Sequence, residues 1–309
     1  MSAIELAANG VVYSSIIVLG SIGLAIIYSI AGFANFAHGD TMTVGAYAAF
    51  VAFGIIGGLG FGVLGLPIGF FLALLFGIAI AALVAIVTEK IVYKPLEIGS
   101  IGLLITSIGV AFVYRAMIQL GFGAEANRFD IPAQRPIEEL IPYGIRITSH
   151  DLAIVLSATV LVVAVHVLLQ YTDLGRKMRA MADNPDLARA SGIRTYRIKL
   201  WSWVLGAGLA GAGGGFLGLY NNLNPRMGFS VLLVIFAAVI LGGIGSVYGA
   251  MLGGFLIGMV VEMTPLLSRV GIPIGVDYGP AVAFLIMVAV LLVRPTGIAG
   301  DGTAGGEGI

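Results

Sequence analysis

Apolar residues run along this chain in long unbroken stretches rather than in short alternating ones. No charged side chain falls within 6–39, 41–88, 98–114, 152–172, 200–225 or 227–261. A helix needs about 20 mostly apolar residues to cross a bilayer. On that scale the runs predict nine segments, at about 9–31, 41–58, 64–92, 100–121, 151–172, 200–221, 229–243, 246–264 and 278–293. They lack the two-residue alternation and aromatic girdles of membrane barrel strands. The predicted fold is an all-α polytopic membrane protein with about 8–9 transmembrane segments, some short or broken. Segments 229–243 and 246–264 are short and read as half-membrane helices meeting at Gly242-Gly243-Ile244-Gly245.

Composition narrows the class. The 309 residues are 59% hydrophobic and only 10% charged, against about 25% charged in a soluble domain. So little charge cannot coat a water-facing surface, which excludes a soluble two-domain enzyme. Sixteen basic residues balance sixteen acidic ones, which argues against a nucleic-acid partner. The chain has no cysteine, so disulfides, thiolate nucleophiles, iron–sulfur clusters and Cys-type zinc sites are excluded. Glycine recurs in ladders, Gly245-Gly249-Gly253 and Gly206-Ala210-Gly214-Gly218. Such spacing lets helices approach closely in lipid, either within one bundle or between subunits.

Charge placement sets the expected orientation, because Lys and Arg near span ends stay on the cytoplasmic side. The segment 173–199 carries Arg176, Lys177, Arg179, Arg189, Arg194, Arg197 and Lys199 against Asp173, Asp183 and Asp186. It is predicted to be cytoplasmic, as are Lys90, Lys94 and Arg294. The loop at about 122–150, rich in acidic residues and proline, reads as external. The N-terminus would then lie outside and the C-terminus inside. The first basic residue is Lys90, so the N-terminus lacks the basic region of a cleaved signal peptide. Residues 1–299 read as one transmembrane domain, and the Gly-rich 300–309 as a disordered cytoplasmic tail.

Few residues offer chemistry. No Gly-Lys pair occurs, so a phosphate-binding P-loop is absent. His38, His150 and His166 lack the partner spacing of metal ligands. No catalytic residue, metal or cofactor is predicted. Charges inside spans are costly and usually functional; Asp40, Arg115 and Glu262 are the candidates, with His38 beside the first. Arg115 and Glu262 lie near predicted span ends, where snorkelling is the plain explanation.

Two interruptions stand out. Gly32, Asn35, His38, Gly39 and Asp40 break an apolar run, and Asp40 is placed to cap a helix starting at Thr41. Non-helical backbone at membrane depth needs protein or water around it, so this break reads either as the wall of a pathway or as a short turn between spans. A weaker echo is Gly242-Gly243-Ile244-Gly245-Ser246, with Ser246 as the following cap. The most specific local signal is Asn184-Pro185-Asp186-Leu187-Ala188-Arg189-Ala190-Ser191-Gly192. Asn184 suits an N-cap, Pro185 the first helical position, Asp186 the helix dipole and Gly192 the C-terminal stop. So short a helix must be held by packing, on its own bundle or in a partner's groove. Ala188, Ala190 and Ser191 are expected to be exposed.

Phe33-Ala34-Asn35-Phe36-Ala37-His38-Gly39-Asp40 with Gly45-Ala46-Tyr47 resembles the N-terminal signature of LivH-type permeases of branched-chain amino acid ABC importers. Asn184–Gly192 followed by Ile193 is similar to their cytoplasmic coupling segment. Asn224-Pro225 with Gly228-Phe229, then Leu241-Gly242-Gly243-Ile244-Gly245-Ser246, resembles their C-terminal block. The resemblance implies a non-catalytic permease subunit of a bacterial cytoplasmic (inner) membrane importer for branched-chain or related hydrophobic amino acids. It further implies a second homologous permease, two cytoplasmic ATPase subunits and an external solute-binding protein as partners. Residues 184–192 would couple to an ATPase, and Phe33, Asn35, Phe36, His38, Asp40, Gly242, Gly243, Gly245 and Ser246 would lie along the translocation pathway. Urea, short amides or other amino acids remain open as cargo. A self-sufficient ion-coupled carrier is the alternative from another class.

Overall fold

A computed structural model of the protein describes residues 2–57, 60–270 and 275–299; the tail 300–309 lies outside the described residues. Every predicted segment is a helix: α1 (Ala3–Ala31), α2 (Ala37–Ile56), α3 (Ile68–Thr88), α4 (Ser100–Phe122), α5 (Ser149–Tyr171), then, beyond two short helices between spans, α6 (Asp173–Asp183) and α7 (Pro185–Ala190), α8 (Thr195–Tyr220), α9 (Met227–Gly242), α10 (Val247–Met263) and α11 (Gly279–Val293). Among the described residues seven helical stretches are long and apolar enough to cross a membrane, while α9 and α11 are shorter apolar helices. The fold is an all-α polytopic membrane bundle.

Loops gather at two ends. At one end Ser2, which caps α1 in a box with Glu5, donates its hydroxyl to the Gly144 carbonyl at 2.9 Å. His150 Nε2 lies 3.1 Å from the Gly65 carbonyl, and Asn127 pairs with Leu223 through backbone bonds of 2.8 Å. At the other, basic end, Lys199 Nζ sits 2.9 Å from Glu89 Oε1, and Lys94 lies over the Tyr196 ring at 4.3 Å. Glu89 opens a π-helical turn (Glu89–Tyr93) that continues α3.

Helices approach most closely at small residues, above all glycine, which lets two backbones touch. The hairpin of α9 and α10 closes where a Cβ on Gly249 would stand 2.2 Å from the Gly242 carbonyl oxygen, and one on Gly253 2.0 Å from that of Ala238. On α8, Gly206 abuts the Gly23 backbone of α1 and Gly214 the Met42 backbone of α2. Both ladders are thus spent on packing inside the chain. Gly245 is the exception: it has open space around it and a φ of +91°, and serves the turn into α10. Helix α4 leans chiefly on α2, leaving Phe112, Val113, Met117 and Leu120 facing outward.

Candidate functional site

The break after α1 begins at Gly32, whose φ of +76° ends the helix in the left-handed conformation that glycine adopts without strain. The chain turns back into the bundle, and Phe33 packs against Tyr93 and Trp203 at centroid distances of 5.3 and 6.2 Å. Asn35, also buried, accepts the Ala37 N–H on Oδ1 at 3.0 Å, while the Phe36 N–H donates to Ser107 Oγ at 2.9 Å. These two side chains satisfy the first donors of α2, which starts at Ala37 rather than at Thr41. Asp40 is therefore not a cap. One turn inside α2, its carboxylate accepts Arg115 Nε on Oδ1 at 3.1 Å and a terminal Arg115 nitrogen on Oδ2 at 3.0 Å.

Among the described residues this forked pair joins opposite charges on two spanning helices, as Glu89 and Lys199 do at the basic end. Asp40 is fully buried, whereas the Arg115 side chain is 13% exposed. The guanidinium lies 4.6 Å from the Phe229 ring centroid and 5.4 Å from that of Phe112, a cation–π setting on its outer edge. Arg115 stands about two turns short of the end of α4, and its partner accounts for its position better than snorkelling does. A short apolar groove of about 360 Å³ is lined by α2, α3 and α4, with Val44, Tyr47, Phe76, Tyr114, Met117 and Phe122 among its residues; neither Asp40 nor Arg115 lines it.

The remaining break residues divide. His38 is fully buried and holds α2 to α1, its Nε2 donating to the Gly20 carbonyl at 2.9 Å. Phe36 is half-buried and packs against Phe236 of α9, the tilted rings 4.8 Å apart. That contact brings the break to the middle of α9, but Gly242, Gly243, Gly245 and Ser246 lie at the far end of that helix. There Ser246 caps α10 by accepting the Gly249 N–H at 3.0 Å. The backbone N–H groups of Ile298 and Ala299 bond to the carbonyls of Leu241 and Gly242, closing the end of α9 with the chain's own C-terminal segment.

In the basic segment, Asn184 Oδ1 accepts the N–H groups of Asp186 and Leu187 at 3.1 and 2.9 Å, and Pro185 opens α7. Gly192 at φ +83°, with bonds from Gly192 N–H to Arg189 O and Ile193 N–H to Ala188 O, completes a Schellman stop. Ala188 is only 3% exposed and faces the chain's own core, contrary to the expected outward position, while Leu187 is 64% exposed and Ala190 and Ser191 are open. The sequence reading did not find α6, an amphipathic helix whose buried Met178 and Met181 supply the platform under α7. It also missed Glu89 and its pairing with Lys199; the lone acid near the end of the 64–92 run was the available signal. Among the described residues no three His, Asp or Glu side chains gather as metal ligands.

The chain matches the family described as "Branched-chain amino acid transport system / permease component" over residues 6–291. It is 30% identical over 298 residues to the high-affinity branched-chain amino acid transport system permease protein LivH of Escherichia coli K12, covering 94% of each chain. Identity to the permease protein BraD of Pseudomonas aeruginosa is 30% over 297 residues, again 94% of each. A probable LivH of Methanocaldococcus jannaschii matches at 30% over 295 residues, 94% of this chain and 91% of the relative. Among solved structures, PsaBC from Streptococcus pneumoniae in complex with Fab aligns with a TM-score of 0.44 at 15% identity, over 96% of this chain and 93% of that one. The chain belongs to the branched-chain amino acid permease family of ABC transporters.

Proposed function

We propose that this chain forms one half of the translocation pathway of an ATP-driven importer for hydrophobic amino acids in a bacterial inner membrane. A second related permease, two cytoplasmic ATPase subunits and an external solute-binding protein complete the assembly. The observation that carries this reading is α7: a helix capped at both ends, seated on its own chain through Ala188, with Leu187 turned outward at the basic end. Isolated helices of this length are marginal in water, so its caps and platform give a rigid knob that transmits displacement. ATPase closure pushing on Leu187 and Ala190 would move α6 and α8 together, shifting a packed bundle between two arrangements.

The pathway is placed beside the Asp40–Arg115 pair. An ionic pair edged toward lipid is costly, and the outward face of α4 bearing it suits coverage by the second permease. The partly exposed guanidinium edge of Arg115, flanked by Phe112 and Phe229, suits the carboxylate of an amino acid with an apolar side chain. Phe36, at the Phe236 contact, lies along the same route. His38 and Phe33 support it from within the core, and the Gly242–Ser246 turn borders the cytoplasmic end.

Leu187→Glu should uncouple the assembly without unfolding the membrane bundle, since that side chain touches solvent rather than the core. We expect ATPase subunits to co-purify with the variant at less than about a tenth of the wild-type level, on the scale of a charge buried at a hot spot, with unchanged gel-filtration behaviour. Full co-purification and full transport would remove α7 as the contact.

A further inference from the structure

The seven basic residues of 173–199 divide into two groups. Arg176 pairs with Asp173, Arg189 with Asp186 and Lys199 with Glu89. Arg179 donates to the Leu169 carbonyl and to Gln170 Oε1. Lys177, Arg194 and Arg197 have no side-chain partner among the described residues. All three line the same cavity, of about 480 Å³, together with Leu174, Ile193, Ile198 and Trp201.

We propose that this groove binds the headgroup of an anionic phospholipid from the leaflet that the basic end adjoins. Three unpaired cations converge on one volume, so a ligand there carries negative charge; two are arginines, whose planar fork matches phosphate oxygens. Leu174, Ile193, Ile198 and Trp201 supply an apolar side to the same groove, so the ligand has an apolar body as well. Trp201, 49% exposed in the first turns of α8, has the amphipathic ring that settles at the headgroup level. Basic pockets of this kind between helices on the cytoplasmic side are the usual setting for anionic headgroups. Ser191, Gly192 and Ile193, which end α7, form one wall of the groove. Bound lipid would therefore brace the base of the coupling helix. The proposal depends on the basic end facing the cytoplasm and is independent of the cargo.

The test uses the purified full-length chain in mixed micelles, with tryptophan emission quenched by brominated phosphatidylglycerol or brominated phosphatidylcholine. The chain has two tryptophans, and Trp203 is buried, so Trp201 supplies the quenchable signal; Trp201→Phe should abolish it. Each basic group near an anionic lipid surface adds about fivefold in affinity. The glycerol lipid should therefore quench with at least about tenfold higher apparent affinity than the choline lipid at low salt. The gap should close near 1 M salt, where the Debye length falls to about 3 Å, a measurement that needs no variant. Arg194→Gln with Arg197→Gln should remove most of the gap. Equal affinities in the wild type, or a gap that survives both high salt and the Gln changes, would overturn the proposal. So would loss of the gap in millimolar inorganic phosphate, which would make the groove a soluble-anion site. Unchanged lipid preference with loss of ATPase co-purification in the Gln variant would make it a protein contact instead.

Discussion

Asp40→Ala is expected to destabilise the folded protein by about 3–5 kcal/mol, the range for removing one member of a buried ion pair. The loss comes from Arg115, whose guanidinium would remain in an apolar setting with its fork empty. Removing both charges should behave differently. In Asp40→Leu with Arg115→Leu no uncompensated charge is left, and replacing a buried pair by apolar residues is often neutral or stabilising. Thermal unfolding followed by size-exclusion chromatography should therefore rank wild type and double variant together, well above Asp40→Ala. Transport separates structure from function: the double variant should fold and assemble but take up amino acid at less than about a tenth of the wild-type rate. Wild-type uptake by that variant would show that the pair only holds α4 to α2.

The second large effect is expected at Gly228. A Cβ there would stand 1.8 Å from the carbonyl oxygen of Gly39, and at Gly214 a Cβ would stand 1.9 Å from that of Met42. The obstructing atoms are backbone, so no rotamer change relieves them, and the helices themselves must separate. Overpacking of a core costs about 1–3 kcal/mol when side chains can yield; here Gly228→Ala and Gly214→Ala should each exceed that and yield little monodisperse protein. Gly109→Ala is the control. Nothing lies within 4 Å of its added methyl group, and exchanging glycine for alanine inside a helix favours the helix by about 1 kcal/mol. Equal yields for all three variants would contradict the backbone contacts at α2.

These two sites also mark where the sequence was legible and where it was not. Span positions follow from local composition, and all nine expected segments became helices because each apolar run satisfies its own backbone without distant help. The caps of α7 were equally local: Asn184, Pro185 and Gly192 act within four residues of where they stand. The start of α2 was misjudged by one turn because its first N–H groups are satisfied by Asn35 and by Ser107, which lies 71 residues away from Phe36. That shift released Asp40 for Arg115, a contact between residues 75 apart. The facing of Ala188 was illegible for a related reason. A six-residue helix has too few turns for periodicity to orient it, and its burial is decided by packing against α6 and α8.

Reconstituted transport tests the central claim most directly. Vesicles would hold this chain with its related permease and two ATPase subunits, ATP on the ATPase side, and the solute-binding protein with labelled leucine on the other. The account predicts leucine accumulation that requires ATP and every subunit, with none from vesicles holding this chain alone under an ion gradient. Accumulation by the lone chain, driven by that gradient without ATP, would contradict it.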